Sequence, residues 1–245
     1  MKNHFLLTSF LLLIVAMSVS SCDKEPSAEV SFPPNTYPVK KLTGSITLDG
    51  KGSDPAWQQA VVLDTFRFPW LEIPTPHTEF RALWNENYLF FQFVVVDEDV
   101  VIHEDTTQNR AVLGSDRVEL FFSVNDSLNP YYSLEMDPRA WVFSSIGRFP
   151  RKIDPSWKWP GLVTMATLTT DGYILEGSIP MSSFTDLNLW RNEAKTRLNC
   201  GVFRAEFSHN DDGSVAQNWI SWIIPDSPKP DFHIPSAFGW FELIQ

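Results

Sequence analysis

Leu113-Gly-Ser-Asp-Arg-Val-Glu-Leu-Phe-Phe-Ser-Val124 and its return, Tyr131-Tyr-Ser-Leu-Glu-Met-Asp137, decide the fold class of this chain. From Arg117 the residues alternate, with Val118, Leu120, Phe122 and Val124 on one face and Arg117, Glu119, Phe121 and Ser123 on the other. A period of two belongs to a β-strand with one face in a core, because successive side chains point to opposite sides. Asn125-Asp-Ser-Leu-Asn-Pro130 is a turn by composition. The return strand alternates again and sends Tyr132, Leu134 and Met136 inward. Antiparallel pairing across the turn gathers Glu119, Glu135 and Asp137 on one outer face, with Phe121 and Tyr131 beside them. Rings stack on the C–H side of a pyranose and carboxylates accept hydrogen bonds from its hydroxyls; the alternative is a solvated sheet face.

Composition supports an all-β chain. The 245 residues, 43% hydrophobic, suffice for one domain with a sizeable core. Ten Trp and nineteen Phe accompany no long helical periodicity. Thirty acidic against nineteen basic residues give a formal charge of −11, which argues against nucleic acid as a partner.

The N-terminus reads as a leader rather than as part of the fold. Met1-Lys-Asn-His4 is a short charged head, Phe5 to Val15 is apolar but too short for a confident span, and Val19-Ser-Ser-Cys22 follows. The order resembles a bacterial lipoprotein signal, in which Cys22 becomes the acylated N-terminus and holds the protein on a membrane. Residues 1–21 are then the signal peptide, and residues 22–42, with Pro26, Pro33, Pro34 and Pro38, an extended tether. The expected location is the cell envelope, lipid-anchored at the outer membrane. Cys200, in the apolar run Leu198 to Phe203, is left as a buried free thiol.

Beyond residue 43, short apolar runs alternate with turn signals. Glu79–Trp84 and Tyr88–Asp97 form a hairpin whose second strand is apolar on both faces. Leu162–Thr169 and Gly172–Ile179 form another, and strands follow at Leu198–Ser208, Trp219–Ile223 and Phe238–Ile244. This pattern predicts a two-sheet antiparallel β-sandwich over residues 43–245.

Five segments in order resemble carbohydrate-binding module family 9. They are Ile46-Thr-Leu-Asp-Gly50 with Asp54-Pro-Ala-Trp57; Ala82 to Leu89; Asp116 to Phe122; Gly172 to Glu176 with Ile179-Pro180; and Pro235-Ser-Ala-Phe-Gly239. The resemblance implies a DOMON-like β-sandwich that binds oligo- or polysaccharide without catalysis and often carries structural calcium, with no other cofactor. In known members two tryptophans clamp the sugar; here Leu113 and Phe232 stand at those places. The strand glutamate is kept as Glu119, while Glu135 and Asp137 stand where those members carry an arginine and an asparagine. The resemblance thus implies an open platform rather than a clamp, working alone or in a surface glycan-processing complex.

The candidate ligand-binding residues are Glu119, Glu135, Asp137, Arg204, Phe232, His233, Trp157 and Trp159. Arg204, read as outward in Val202-Phe-Arg-Ala-Glu206, would bridge the carboxylates or hold a structural ion pair. His233 would bond a ligand beside Phe232 or fix its loop, and Trp157 and Trp159 would form a platform or pack on the sheet edge. Asp97-Glu-Asp99 has oxygen ligands for calcium but no spaced ligand loop, so the metal ligands stay unknown. Two other functions stay open. One is a glycoside hydrolase using Glu119 and Glu135, an outcome disfavoured on a sheet face open to water; the other is a scaffold subunit without sugar affinity. A haem-binding sandwich ranks last, because the histidines are scattered.

Overall fold

A computed structural model describes residues 32–105 and 107–245. The leader, Cys22 and most of the expected tether lie outside the described residues. The chain runs β1 (Thr36–Lys41), a 3₁₀ turn (Pro55–Gln59), β2 (Thr78–Trp84), β3 (Tyr88–Val96), α1 (Gln108–Leu113), β4 (Arg117–Ser123) and β5 (Tyr131–Met136). It continues through β6 (Val142–Arg148), β7 (Lys152–Asp154), β8 (Val163–Thr169), β9 (Gly172–Pro180), α2 (Met181–Asp186), β10 (Arg197–His209), β11 (Val215–Ser221), a second 3₁₀ turn (Pro235–Ala237) and β12 (Gly239–Ile244).

The strands join in the order β7-β6-β5-β4-β10-β12-β1-β2-β3-β9-β8, with β11 on β10. The turn of this sheet lies in β10. Its first residues, Arg197–Cys200, pair with β12, and from Phe203 onward it pairs with β11 instead. One strand thus feeds two directions, and the sheet curls into a β-sandwich. The main core takes Val118, Leu120 and Phe122 of β4, Leu134 and Met136 of β5, Phe80 of β2, Phe91 and Phe93 of β3 and Phe241 of β12. The inward residues expected of β4 and β5 are all there, and Cys200 is a buried free thiol among them.

Two expectations need correcting. Thr36–Lys41, placed in the tether, is β1, inserted between β12 and β2, so the domain begins before residue 43. Both of its pairings are parallel, so the sheet is not wholly antiparallel. Tyr37 and Val39 explain the placement: both point into the core, while Pro38 between them lies where β1 pairs with β12 alone, the pairing with β2 covering only Lys40 and Lys41.

Two of the five recognised segments meet at one buried carboxylate. Glu176 Oε2 accepts the backbone N–H groups of Asp49 and Gly50 at 3.1 and 2.6 Å, and its Oε1 accepts the Trp57 indole N–H at 2.6 Å. Gly50 has φ +76°, and a Cβ there would stand 2.8 Å from the Ala166 backbone nitrogen. A glycine is therefore required by both conformation and space.

Candidate functional site

The outer face of β4, β5 and β10 is not open to water. The segment leading to β12 folds over it and forms a second apolar cluster, in which Phe232 and Phe238 pack with Phe121, Tyr131 and Phe203. The register puts Glu135, Glu119 and Phe203 in one row across the three strands, and Arg117 opposite Ala205 in the next. Trp219 of β11 follows Ala205 in that second row. Glu119 and Glu135 are only 3% and 5% exposed.

Arg117 is the group that joins the two carboxylates. Its Nε lies 2.9 Å from Glu119 Oε1 and donates at 2.9 Å to Glu135 Oε2. Its Nη1 donates to the carbonyls of Leu113 and Ser115 at 3.2 and 3.4 Å, tying down the C-terminal end of α1. Burial raises both carboxyls above their ordinary range; repulsion from Glu135 adds to this at Glu119, and Arg117 works against it at both.

Two adjoining hollows open above this floor. A recess of about 80 Å³ is lined by Arg117, Glu119, Glu135, Trp219, Phe232 and His233, among others. A larger cavity of about 540 Å³ shares Arg117, Glu135, Arg151 and His233 with it and adds Arg110, Leu113, Phe143, Ile153 and Pro155. Leu113 of α1 is 41% exposed, so the cavity has an aliphatic wall where the resemblance places a tryptophan.

His233 belongs to the site and is fixed within it. Its Nδ1 is 2.7 Å from the Tyr131 hydroxyl. Burial, with Arg151 next in effect, pushes its imidazole down to about 4, so the ring is neutral at pH 7. Gly147 makes room for the arrangement, since a Cβ there would be 2.1 Å from Tyr131 Cζ.

The other candidates lie elsewhere or act differently. Arg204 is inward, because it shares the parity of Val202. Its guanidinium donates to Asp97 Oδ2 at 2.9 Å and to Thr78 Oγ1 and the Val96 carbonyl at 3.1 Å each, so it is the structural ion pair. Asp137 caps the turn after β5, accepting the backbone N–H groups of Arg139 and Trp141 and pairing with the Arg139 guanidinium at 2.6 Å. Phe232 reaches the recess but offers no free face. It stacks on Phe203 at 4.2 Å, with Trp70 tilted against it at 5.6 Å. Trp157 and Trp159 pack on the inner core against Tyr132 and Phe122, not over the carboxylates.

Among the described residues, no three His, Cys, Asp or Glu side chains converge to hold a metal. Two of the acids considered for calcium are occupied: Asp97 by Arg204, and Asp99 by His209, whose Nδ1 lies 2.9 Å away.

Sequence comparison places this geometry in a family. The pattern described as "Carbohydrate family 9 binding domain-like" matches residues 48–245. The chain belongs to that family. No curated protein sequence matches it. Among solved structures, this family 9 domain is similar to a Bacteroides uniformis ATCC 8492 protein described as carbohydrate-binding, with TM-score 0.66 and 16% identity over 86% of this chain and 99% of that one. It is also similar to a family 9 carbohydrate binding module from Caldicellulosiruptor kristjanssonii. The complex of that module with glucose matches with TM-score 0.55 and 16% identity, over 84% of this chain and 95% of that one. Its complex with cellotriose gives TM-score 0.52 and 16% identity, over 85% and 93%. At such identity the likeness is one of fold. The family 9 fold accounts for the recognised segments through the Glu176 junction and the β4 register.

Proposed function

We propose that this is a non-catalytic carbohydrate-binding protein, held at the cell envelope by an acylated Cys22 and binding oligo- or polysaccharide in the cavity beside β4 and β5. The observation that carries the reading is that cavity. In a member of a carbohydrate-binding family, aliphatic walls from Leu113 and Ile153 stand beside the polar groups of Arg151, His233 and Glu135. Each sugar hydroxyl exchanges water for protein with a net gain of only about 0.5–1.5 kcal/mol, so moderate affinity is expected.

The buried pair speaks against glycoside hydrolysis. Two catalytic carboxylates flank the scissile bond, whereas here Arg117 Nε stands 2.9 Å from an oxygen of each. A guanidinium fills the space that a glycosidic oxygen needs. Incubation with polysaccharide should release no new reducing ends.

Calorimetric and thermal-shift screening against plant and host oligosaccharides tests the binding. Ligand at about ten dissociation constants stabilises the fold by about 1.4 kcal/mol, which raises Tm by a few degrees. If no oligosaccharide moves Tm at millimolar concentration, the carbohydrate reading fails. Leu113→Trp should strengthen binding about eightfold, because a larger apolar wall covers roughly 50 Å² more of the sugar at about 25 cal/mol per Å². Unchanged affinity in this variant would remove Leu113 from the binding surface.

The anchor has a separate test. Cys22→Ser should abolish incorporation of labelled palmitate and release the protein from membranes. Label entering the variant would overturn acylation at this cysteine.

A further inference from the structure

The larger cavity is lined by Arg110, Arg117 and Arg151 in a chain whose formal charge is −11. Where their counter-charges lie decides what the cavity can accept. Arg117 is spent internally: its side chain is 9% exposed, and those of Glu119 and Glu135, which hold it, are 3% and 6% exposed. The rim is different. Arg151 has a side chain 56% exposed, donates no hydrogen bond among the described residues, and has one long ion pair, 3.7 Å to Asp231 Oδ1. That same oxygen already accepts the His233 backbone N–H at 2.9 Å. Arg110 is 81% exposed, with one ion pair of 3.8 Å, to Asp105.

Arg151 also stands where a turn asks for another residue. It closes the β6–β7 hairpin, in which Arg148 pairs with Lys152, and its φ is +63°. Glycine is the relaxed choice for the left-handed position of such a short loop. A long cationic side chain gains nothing for the turn there, yet it lines both hollows. Backbone strain of this kind is a mark of a functional position when the side chain meets a site.

The geometry points to an anionic sugar as the occupant: an oligosaccharide bearing hexuronate residues, with a carboxylate on Arg151, Arg110 at the same cavity, and a ring against Leu113 and Ile153. This rests on the carbohydrate reading above and names the class of sugar. A planar carboxylate matches the two-pronged guanidinium, and a hydrogen bond between charged groups is roughly twice as strong as a neutral one. A neutral sugar would offer the Arg151 donors only uncharged hydroxyl acceptors.

The test is calorimetry on the full chain in detergent micelles. The probes are a panel of hexuronate oligosaccharides, the same oligosaccharides with carboxyls reduced to primary alcohols, and sulfated neutral chains of equal length. A hexuronate chain should bind at least about tenfold more tightly than its reduced counterpart, a single charged hydrogen-bonded contact being sufficient for that ratio. Arg151→Gln should bring the two within about twofold by weakening the hexuronate far more than the reduced chain, and the fold should keep its stability, since Arg151 is exposed and its loss strands no buried partner. The preference should also shrink between about 0.05 and about 0.5 M salt. Reduced chains binding as tightly as the hexuronates would overturn the inference and leave the carbohydrate reading intact. A sulfated chain that outbinds every hexuronate would overturn the choice of carboxylate. Binding by none of the three probe sets would sink both readings.

Discussion

Arg204→Met is expected to lower stability by about 3–5 kcal/mol, because removing one partner of a buried ion pair strands the other. The Arg204 side chain is 0% exposed and that of Asp97 is 3% exposed. Thr78 Oγ1 and the Val96 carbonyl lose their donor at the same time. A second acid sharpens the effect. Asp116 accepts the backbone N–H groups of Val101 and Phe207, yet burial pushes its carboxyl up to about 7, with Asp97 adding repulsion and Arg204 opposing it. A carboxyl raised in the fold contributes stability that is full below its unfolded pKa, about 4, and is lost as pH rises through its folded value. Stability should therefore fall between about pH 4 and pH 7, and fall more steeply in Arg204→Met. Urea unfolding at several pH values measures both. A loss under about 1 kcal/mol, independent of pH, would show that Asp97 and Asp116 do not depend on this arginine. Sugar affinity should be unchanged in the surviving folded fraction, because Arg204 faces the core and not the cavity.

That residue also shows where the sequence is legible and where it is not. The alternation of β4 and β5 settled their core residues, since a one-residue slip would exchange every side chain between faces. The same rule, counted from Val202, puts Arg204 inside. The outward reading also came from alternation but took the wrong alternate as the inner one, and the acids that make an inward arginine tolerable, Asp97 and Asp116, are distant in sequence. Arg117 was within reach, since it stands two residues from Glu119 on the same face of one strand. The cover over that face was not legible. Trp70, Trp219 and Phe232 come from three separate stretches, and only the closed structure brings them together above Phe203. Because of that cover, carboxylates expected in water are buried, and the ring expected as a sugar platform is packed on both faces. Trp157 and Trp159 carried no periodicity to tell an inner face from an outer one.

Arg117→Met carries the other large effect, again about 3–5 kcal/mol, and this one reaches the cavity. Two buried carboxyls would lose their common cation, and the C-terminal carbonyls of α1 would lose the donor that holds Leu113 in the wall. The sign of the pH dependence follows from the direction of the shifts. Glu119 and Glu135 are raised in the fold, so the stability linked to their protons is full below the ordinary carboxylate range and is lost as pH rises above it. Arg117 opposes both shifts, so without it the fold should favour protons on this pair still more. The variant is expected to be nearest wild type in mild acid and to lose ground steadily towards neutral and alkaline pH. Adding Glu119→Gln should recover part of the loss at neutral pH, because one of the two stranded charges is then gone, whereas Glu119→Gln alone should weaken the wild type by leaving Arg117 a single acid. If instead the double variant is less stable than Arg117→Met at every pH, the carboxylates are not in conflict. The floor of the cavity would then be held by its hydrogen bonds alone.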